Sequence, residues 1–133
     1  MPIFFHVKTE TNLLICIHTG KVPDNEFLTS YKNLYVSDRF STSMNQLVDL
    51  RKADSSPRSM QALQEFAGIV KDKFKNVTTG PKVAVIAPEN LSFGLSRMYQ
   101  GFSTAVPWNF VVFRAADAAL AWLDVPEDTL DNL

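Results

Sequence analysis

The sequence predicts an α/β domain built on a mixed five-stranded sheet, with elements in the order β-β-α-β-α-β-α-β-α. Two short runs rich in β-branched and aromatic residues, 3–8 and 13–19, are separated by the polar stretch TETN, which favours an antiparallel hairpin at one edge of the sheet. The run KVAVIAP is apolar on both faces, as in a parallel strand that helices cover. The connections after the second run are too long for hairpins, so the later strands should lie parallel and be joined by right-handed crossover helices.

The first half of the chain is predicted to hold the hairpin, one helix and a third strand. Gly20 ends the second strand, and Asp24 is placed to cap a helix. The apolar residues of that helix recur on one face: Phe27, Leu28, Tyr31, Leu34 and Tyr35. A polar surface connection over 37–43 then leads into a buried strand at 47–50.

The second half alternates helices and strands. Ser56 and Pro57 have the residue types of an N-cap and a first helical position, so the second helix should begin there and end near Lys75. A third helix should begin at Asn90 or Ser92. Its core stripe is predicted to be Leu91, Leu95, Met98 and Phe102. After a strand at 109–114, a short last helix contributes Ala116, Ala119, Leu120 and Leu123.

Composition and charge argue against several classes of function. A chain of 133 residues with 46% hydrophobic residues fits one domain, predicted over 1–124, followed by an acidic tail over 125–133 that should fray. The formal net charge of -1 offers no basic surface for nucleic acid. No apolar run approaches the roughly 20 residues of a membrane-spanning helix, which argues against membrane insertion. The single cysteine and the lack of a signal-peptide pattern indicate a reduced, cytoplasmic setting.

The element order, together with several phrases, resembles the STAS domain of bacterial anti-sigma-factor antagonists, and most closely the small stand-alone SpoIIAA-like proteins. The phrases are LVDLR, VAVIAP, LSFGLSRMYQGF and VVFRAADAALAWL, and the resemblance covers nearly the whole chain. It implies a non-enzymatic binding or regulatory domain whose helices cover mainly one face of the sheet. The apolar residues on the other face would then be covered by the hairpin's partner, a dimer mate or an apolar ligand.

A serine motif follows the third strand. In the antagonists that the chain resembles, this strand leads to Asp-Ser-Ser-Gly, and phosphorylation of a serine there switches the binding of a partner kinase. This chain has Asp54, Ser55, Ser56 and Pro57 in a similar place, with proline instead of the glycine and a shorter link from Asp49. The resemblance therefore implies Ser56 as a candidate phosphosite and Ser55 as its neighbour, whereas the residue pattern alone explains Ser56 as a helix cap.

Asp49 and Arg51 are further candidate binding residues, because open α/β sheets bind ligands at the carboxyl ends of their strands. An acidic residue in an apolar strand is either a ligand contact or a buried anchor for the following loop or for Arg51. The anchor is favoured because buried charges are usually paired. Arg51 also belongs to a mixed-charge cluster with Lys52, Asp54 and Arg58, which is typical of a solvated surface.

The residue types most often used in catalysis and metal binding do not form a site. A tight turn at 10–11 would place His6 opposite Ile15 and His18 opposite Ile3, so the two histidines would lie on opposite faces and share no metal. Cys16 lies among large aliphatic residues and is interpreted as a small buried hydrophobe. The sequence contains none of the common nucleophile, phosphate-binding or zinc motifs, so we assign no catalytic residue, metal or cofactor.

The third helix is the main candidate interface. Phe93, Arg97 and Tyr99 should point away from its core stripe, and aromatic and arginine side chains are enriched at protein interfaces. They would form a homodimer contact or a groove for a regulatory partner, or else pack under the AVPW loop. The leading hypothesis is protein contact with self-association. The alternative is a carrier or sensor of a lipid or another small apolar ligand, because STAS folds resemble lipid-transfer domains of the Sec14 type.

Overall fold

The computed structural model describes residues 3–133, and within them the predicted order of strands and helices is confirmed. The strands are β1 Ile3–Lys8, β2 Leu13–Lys21, β3 Asn45–Asp54, β4 Lys82–Ile86 and β5 Asn109–Phe113. The helices are α1 Asp24–Val36, α2 Met60–Lys73, α3 Asn90–Phe102 and α4 Ala116–Leu123. β1 pairs antiparallel with β2, and β2 to β5 pair in parallel, so the mixed sheet with an edge hairpin is also confirmed. Within this range, no helix has both the length and the apolar character needed to cross a membrane.

The hairpin has the register that the sequence predicts. A 3₁₀ turn over Thr9–Thr11, followed by a left-handed residue at Asn12, joins β1 to β2. His6 lies opposite Ile15, and His18 lies opposite Ile3. Because opposed residues share a face and successive residues alternate, the two histidines lie on opposite faces of the sheet.

The two faces of the sheet are covered by different helices. Each strand lies next to its predecessor, so right-handed crossovers carry α1, α2 and α3 across the same face. On this α1–α3 face, Leu14 and Cys16 of β2 join a core that includes Phe66 of α2. On the opposite α4 face, Ile15 of β2 packs in a second core with Leu120 of α4. The sheet therefore lies between two apolar layers.

The α4 face is covered by this same chain, which corrects the expectation that a dimer mate or a ligand would cover it. Ile15 and Leu47 are fully buried in a core shared with α4. Val125 and Leu130 also pack against this core, and Thr129 is buried. The prediction that the tail frays is thus wrong as far as residue 130. The tail is acidic overall, so the sequence offered little indication that Val125 and Leu130 would fold back and pack against this core.

β3 is longer than predicted. The sequence indicated a strand at 47–50, but β3 extends to Asp54 because its last three residues pair with 19–21 of β2 after a register shift in that ladder. The polar residues Arg51 and Asp54 therefore belong to a strand and not to a loop. Because β2 and β3 are parallel, their carboxyl ends lie at the same edge of the sheet.

Ser59, not Ser56, caps α2. The Ser59 hydroxyl oxygen accepts a hydrogen bond from the Ala62 backbone N–H at 3.0 Å and donates one to Asp24 Oδ2 at 2.6 Å. Asp24 was predicted to cap α1, but it lies in the first turn of that helix and binds the start of α2. The prediction for Ser56 was wrong because its backbone N–H donates to Asp54 Oδ1 at 3.0 Å, in a turn that precedes the helix.

Candidate ligand-binding site

A cavity of about 100 Å³ lies between the α1–α3 face of the sheet and the three helices on that face. Most of its lining is apolar or aromatic and comes from β2 to β5 and α1 to α3. These residues include Val22, Phe27, Val48, Leu63, Phe66, Val83, Val85, Leu95, Trp108 and Phe110. The exposed lining residues are Gly20 and Asp54, so the cavity reaches solvent at the carboxyl ends of β2 and β3. Open α/β sheets commonly bind ligands at this edge.

His18 and Tyr31 form a hydrogen-bonded pair in the lining, with 2.9 Å between His18 Nε2 and Tyr31 Oη. Burial lowers the pKa of His18 to about 3, and the positive charge of Arg58 acts in the same direction. Burial also raises the pKa of the Tyr31 hydroxyl well above its ordinary value. Both side chains are therefore neutral at physiological pH, and the pair brings polarity to the cavity without charge.

Gln46 and Tyr99 are two further polar residues that line the cavity. They are only 3% and 5% exposed. The Gln46 Nε2 and Tyr99 Oη atoms are buried and have no hydrogen-bond partner in the part of the chain that the structure describes. Burial raises the pKa of Tyr99, so its hydroxyl keeps its proton. Since buried polar groups in native proteins almost always have partners, these two unpaired groups are exceptions within the core.

Arg58 places a positive charge in the lining, but this charge is already paired. Its Nη1 donates to Asp24 Oδ1 at 2.8 Å, and its guanidinium carbon lies 4.1 Å from the centroid of the Phe27 ring. Partial burial alone would raise the pKa of Asp24, but hydrogen bonds from Ser59 and Arg58 outweigh it and lower that pKa. Asp24 is therefore an anion that fixes the Arg58 side chain.

Of the residues predicted at the end of β3, Asp54 and Ser55 line the cavity. The Ser55 and Ser92 hydroxyl oxygens lie 2.7 Å apart, which joins the segment after β3 to the start of α3. Hydrogen bonding from Ser56 lowers the pKa of Asp54, and the carboxylate faces solvent. Ser56 is exposed and lies outside the lining, and its phosphorylation stays a prediction.

Asp49 and Arg51 lie away from the cavity. Asp49 has the orientation of Leu47, toward the α4 face, and is only 6% exposed. Arg51 Nε and Nη2 donate to the two Asp49 carboxylate oxygens at 3.0 and 2.9 Å, and the Arg51 backbone N–H adds a third bond at 3.1 Å. This bidentate geometry satisfies the buried carboxylate and fits the anchor interpretation that the sequence favoured.

α3 presents a different face to the core from the one predicted. Tyr99 is buried, and its ring centroid lies 5.3 Å from that of Phe66 and 5.6 Å from that of Phe110. Leu91 and Met98, which were predicted for the core, are 51% and 37% exposed. The prediction that Tyr99 faces a partner is therefore wrong, and packing against the residues that follow the AVPW loop explains its position. A large aromatic ring, which fills the space between α2 and β5, sets the orientation of the helix.

Phe93 and Arg97 remain on the outer side of α3. Phe93 is partly buried because the Arg114 guanidinium carbon lies 4.1 Å from its ring centroid. Arg97 is exposed. Neither residue lines the cavity, so their predicted role in partner binding is separate from it.

Sequence reasoning did not identify His18, Tyr31 and Gln46 as residues of a common site. A usable signal existed for two of them, since His18 and Gln46 are polar residues at inward-facing positions of apolar strands, where polar groups require partners. Tyr31 was predicted only as a core residue. Nothing in its spacing distinguishes a tyrosine beside a cavity from one in close packing.

The architecture occurs in a solved structure. It matches the crystal structure of an uncharacterized protein of the DUF3478 family from Shewanella loihica PV-4, which has a SpoIIAA-like fold, with a TM-score of 0.58 over 91% of each chain. This chain has a SpoIIAA-like fold. The two sequences are 20% identical, so the likeness concerns the SpoIIAA-like fold alone. No protein-family model and no curated protein matches the sequence.

Proposed function

We propose that the protein is a non-enzymatic binding domain that holds a small, largely apolar ligand in the cavity between the sheet and helices α1 to α3. The observation that carries this proposal is the cavity itself, which is lined mainly by apolar and aromatic side chains and reaches solvent at the carboxyl ends of β2 and β3. Binding pockets for small molecules usually have such a lining with a few convergent polar groups.

The size of the cavity supports a bound molecule over a packing defect. Protein interiors are close-packed, with few voids larger than a water molecule. At roughly 24 cal/mol per Å³, an apolar cavity of about 100 Å³ would cost about 2 kcal/mol of stability. A ligand that fills the cavity offsets much of this cost. The volume suits a small molecule or the end of a chain, and not a whole membrane lipid.

The buried reactive groups support binding over catalysis. Burial raises the pKa of Cys16 to about 12, so its side chain remains a thiol, which is a poor nucleophile. His18 is held neutral with a pKa of about 3, far below the range in which a general base exchanges protons at physiological pH. Both groups serve as fixed parts of the core.

An NMR titration with isobutene, an apolar probe of four carbon atoms, tests the proposal. The probe must be smaller than benzene, because the cavity of about 100 Å³ is smaller than the one of about 150 Å³ that admits benzene. The wild-type protein should show saturable chemical-shift changes at cavity-lining methyl groups such as those of Leu95. Val85→Phe places a larger side chain in the lining and should abolish them. Val111→Phe is the matched control. Val111 lies on β5 beside Ala84, which belongs to the core on the α4 face, so this substitution should leave binding intact. The absence of saturable changes in the wild-type protein would contradict the proposal.

Protein contact through α3 is the second candidate function. Leu91 and Met98 are exposed and lie two turns apart on one side of the helix, near the exposed Arg97. This surface suits a homodimer or a regulatory partner. Light scattering at micromolar concentration should give a dimer mass for the wild-type protein and a monomer mass for the double variant Leu91→Asp, Met98→Asp. Val36→Asp, on the exposed side of α1, is the control, and a monomeric wild-type protein would count against self-association.

A further inference from the structure

The connection between β3 and α2, residues 55–59, borders the opening of the cavity, and we call it the mouth segment. Ser55 and Arg58 of this segment line the cavity, together with Gly20 and Asp54, the exposed lining residues at the ends of β2 and β3. The mouth segment belongs to no strand or helix. It can therefore move at the opening without breaking the hydrogen bonds between strands.

The Arg58 side chain covers part of the aromatic lining at this opening. Arginine side chains usually extend into water, but only 10% of this one is exposed. Its guanidinium carbon lies 4.1 Å from the centroid of the Phe27 ring, which also lines the cavity and is 5% exposed. The guanidinium group thus covers one face of a ring that borders the cavity.

Polar contacts at both ends hold the mouth segment in this position. At the first end, the hydroxyl oxygens of Ser55 and Ser92 lie 2.7 Å apart. At the other end, Arg58 Nη1 donates to Asp24 Oδ1 at 2.8 Å, and the Ser59 hydroxyl donates to Asp24 Oδ2 at 2.6 Å. Such contacts open more readily than apolar packing, because water replaces the hydrogen bonds that are lost.

The two ends of the segment are also joined to each other. The Arg58 backbone N–H donates to the Ser55 carbonyl oxygen at 3.0 Å, which closes a β-turn. Ser55 and Arg58 therefore move together. A displacement of this turn separates Ser55 from Ser92 and lifts the guanidinium group from Phe27 in one step.

We propose that the mouth segment is a lid over the cavity, which opens by breaking the Ser55–Ser92 and Arg58–Asp24 contacts and closes after a small molecule has entered. This inference rests on the proposed ligand-binding function and adds how ligand exchange is controlled. Asp24 lies outside the cavity lining, so it acts on the rate of exchange through Arg58 and makes no contact with the ligand.

A reversible crosslink tests the lid. The Ser55 and Ser92 hydroxyl oxygens are close enough that the double variant Ser55→Cys, Ser92→Cys should form a disulfide on oxidation, whereas Cys16 is fully buried and should not react. NMR exchange measurements at cavity-lining methyl groups, such as those of Leu95, give the rate at which bound isobutene leaves.

Oxidation of this variant should slow the exchange of isobutene by at least about tenfold, which corresponds to about 1.4 kcal/mol in the barrier. Reduction should restore the faster rate. The affinity should be the same in both forms within about twofold, because a lid changes the rates of entry and exit together. Equal exchange rates in the oxidised and reduced forms would overturn the lid while the proposed function stands.

The variant Asp24→Asn tests the opposite change. It weakens the contact with Arg58, so it should speed the exchange of isobutene and leave the affinity within about twofold. Arg51→Met controls for a general loss of stability, because Arg51 pairs with Asp49 away from the cavity and its removal should leave the exchange rate unchanged. The same acceleration in both variants would contradict the role of Asp24. A wild-type protein that binds no isobutene would overturn both the lid and the proposed function.

Discussion

Removing the Asp24 carboxylate should destabilise the protein by weakening the junction between α1 and α2. Asp24 accepts hydrogen bonds from Arg58 Nη1 at 2.8 Å, from the Ser59 backbone N–H at 3.2 Å and from the Ser59 hydroxyl at 2.6 Å. Hydrogen bonds to charged groups contribute about 1.5 to 3 kcal/mol each, but they are not additive within one cluster. Water can replace part of the interaction because 33% of the Asp24 side chain is exposed. We therefore expect Asp24→Ala to lower the free energy of unfolding by about 2 to 3 kcal/mol.

Urea denaturation measures this effect, with Asp38→Ala as the control. Asp38 is exposed, so its removal should change the free energy of unfolding by less than about 0.5 kcal/mol. The pH dependence supplies a second check. The folded pKa of Asp24 is lowered, so its contribution is present above the unfolded pKa of about 4 and is lost as the pH falls through the folded pKa. A decrease in the free energy of unfolding for Asp24→Ala that is small at pH 7, or equally large at pH 7 and pH 2, would contradict this role of the Asp24 carboxylate.

Three further outcomes follow from individual contacts. Gly80→Ala should destabilise the protein by about 2 kcal/mol or more, because the added Cβ would lie 1.4 Å from the Pro107 carbonyl oxygen; an unchanged thermal midpoint would contradict this contact. Arg51→Met should lower the free energy of unfolding, measured by urea denaturation, by about 2 kcal/mol, because it leaves the buried Asp49 carboxylate without its charge partner. Water compensates for part of the loss, since 44% of the Arg51 side chain is exposed. The His18 ring should show no titration between pH 5 and 8 by NMR, because burial lowers its pKa to about 3; a midpoint near 6.5 would contradict its burial.

The local pattern of apolar and polar residues predicted those features whose determining contacts are close in the sequence. The length of the polar connection between the two N-terminal runs was enough to set His6 opposite Ile15. The spacing of apolar residues also identified the buried side of α1, including Phe27 and Tyr35. In both cases the determining contacts lie within the element or across one short turn, so the sequence contains the needed information.

The remaining features depend on contacts between distant segments. The N-cap of α2 is Ser59 because Asp24, 35 residues earlier, accepts its hydroxyl hydrogen, and no local pattern favours Ser59 over Ser56. The orientation of α3 depends on how Tyr99 fits between Phe66 and Phe110. The cavity is a gap left between four strands and three helices, and it follows from the shapes of residues on all of them.

If the core contains a cavity that admits a small molecule, a crystal structure of the protein under xenon pressure should show xenon in it. Xenon enters apolar cavities of this kind. We expect electron density for xenon between Val48, Val85 and Phe110 in the wild-type protein, and none at that position in Val85→Phe. Wild-type crystals in which side chains fill this space, and xenon does not enter, would show that the core has no such cavity.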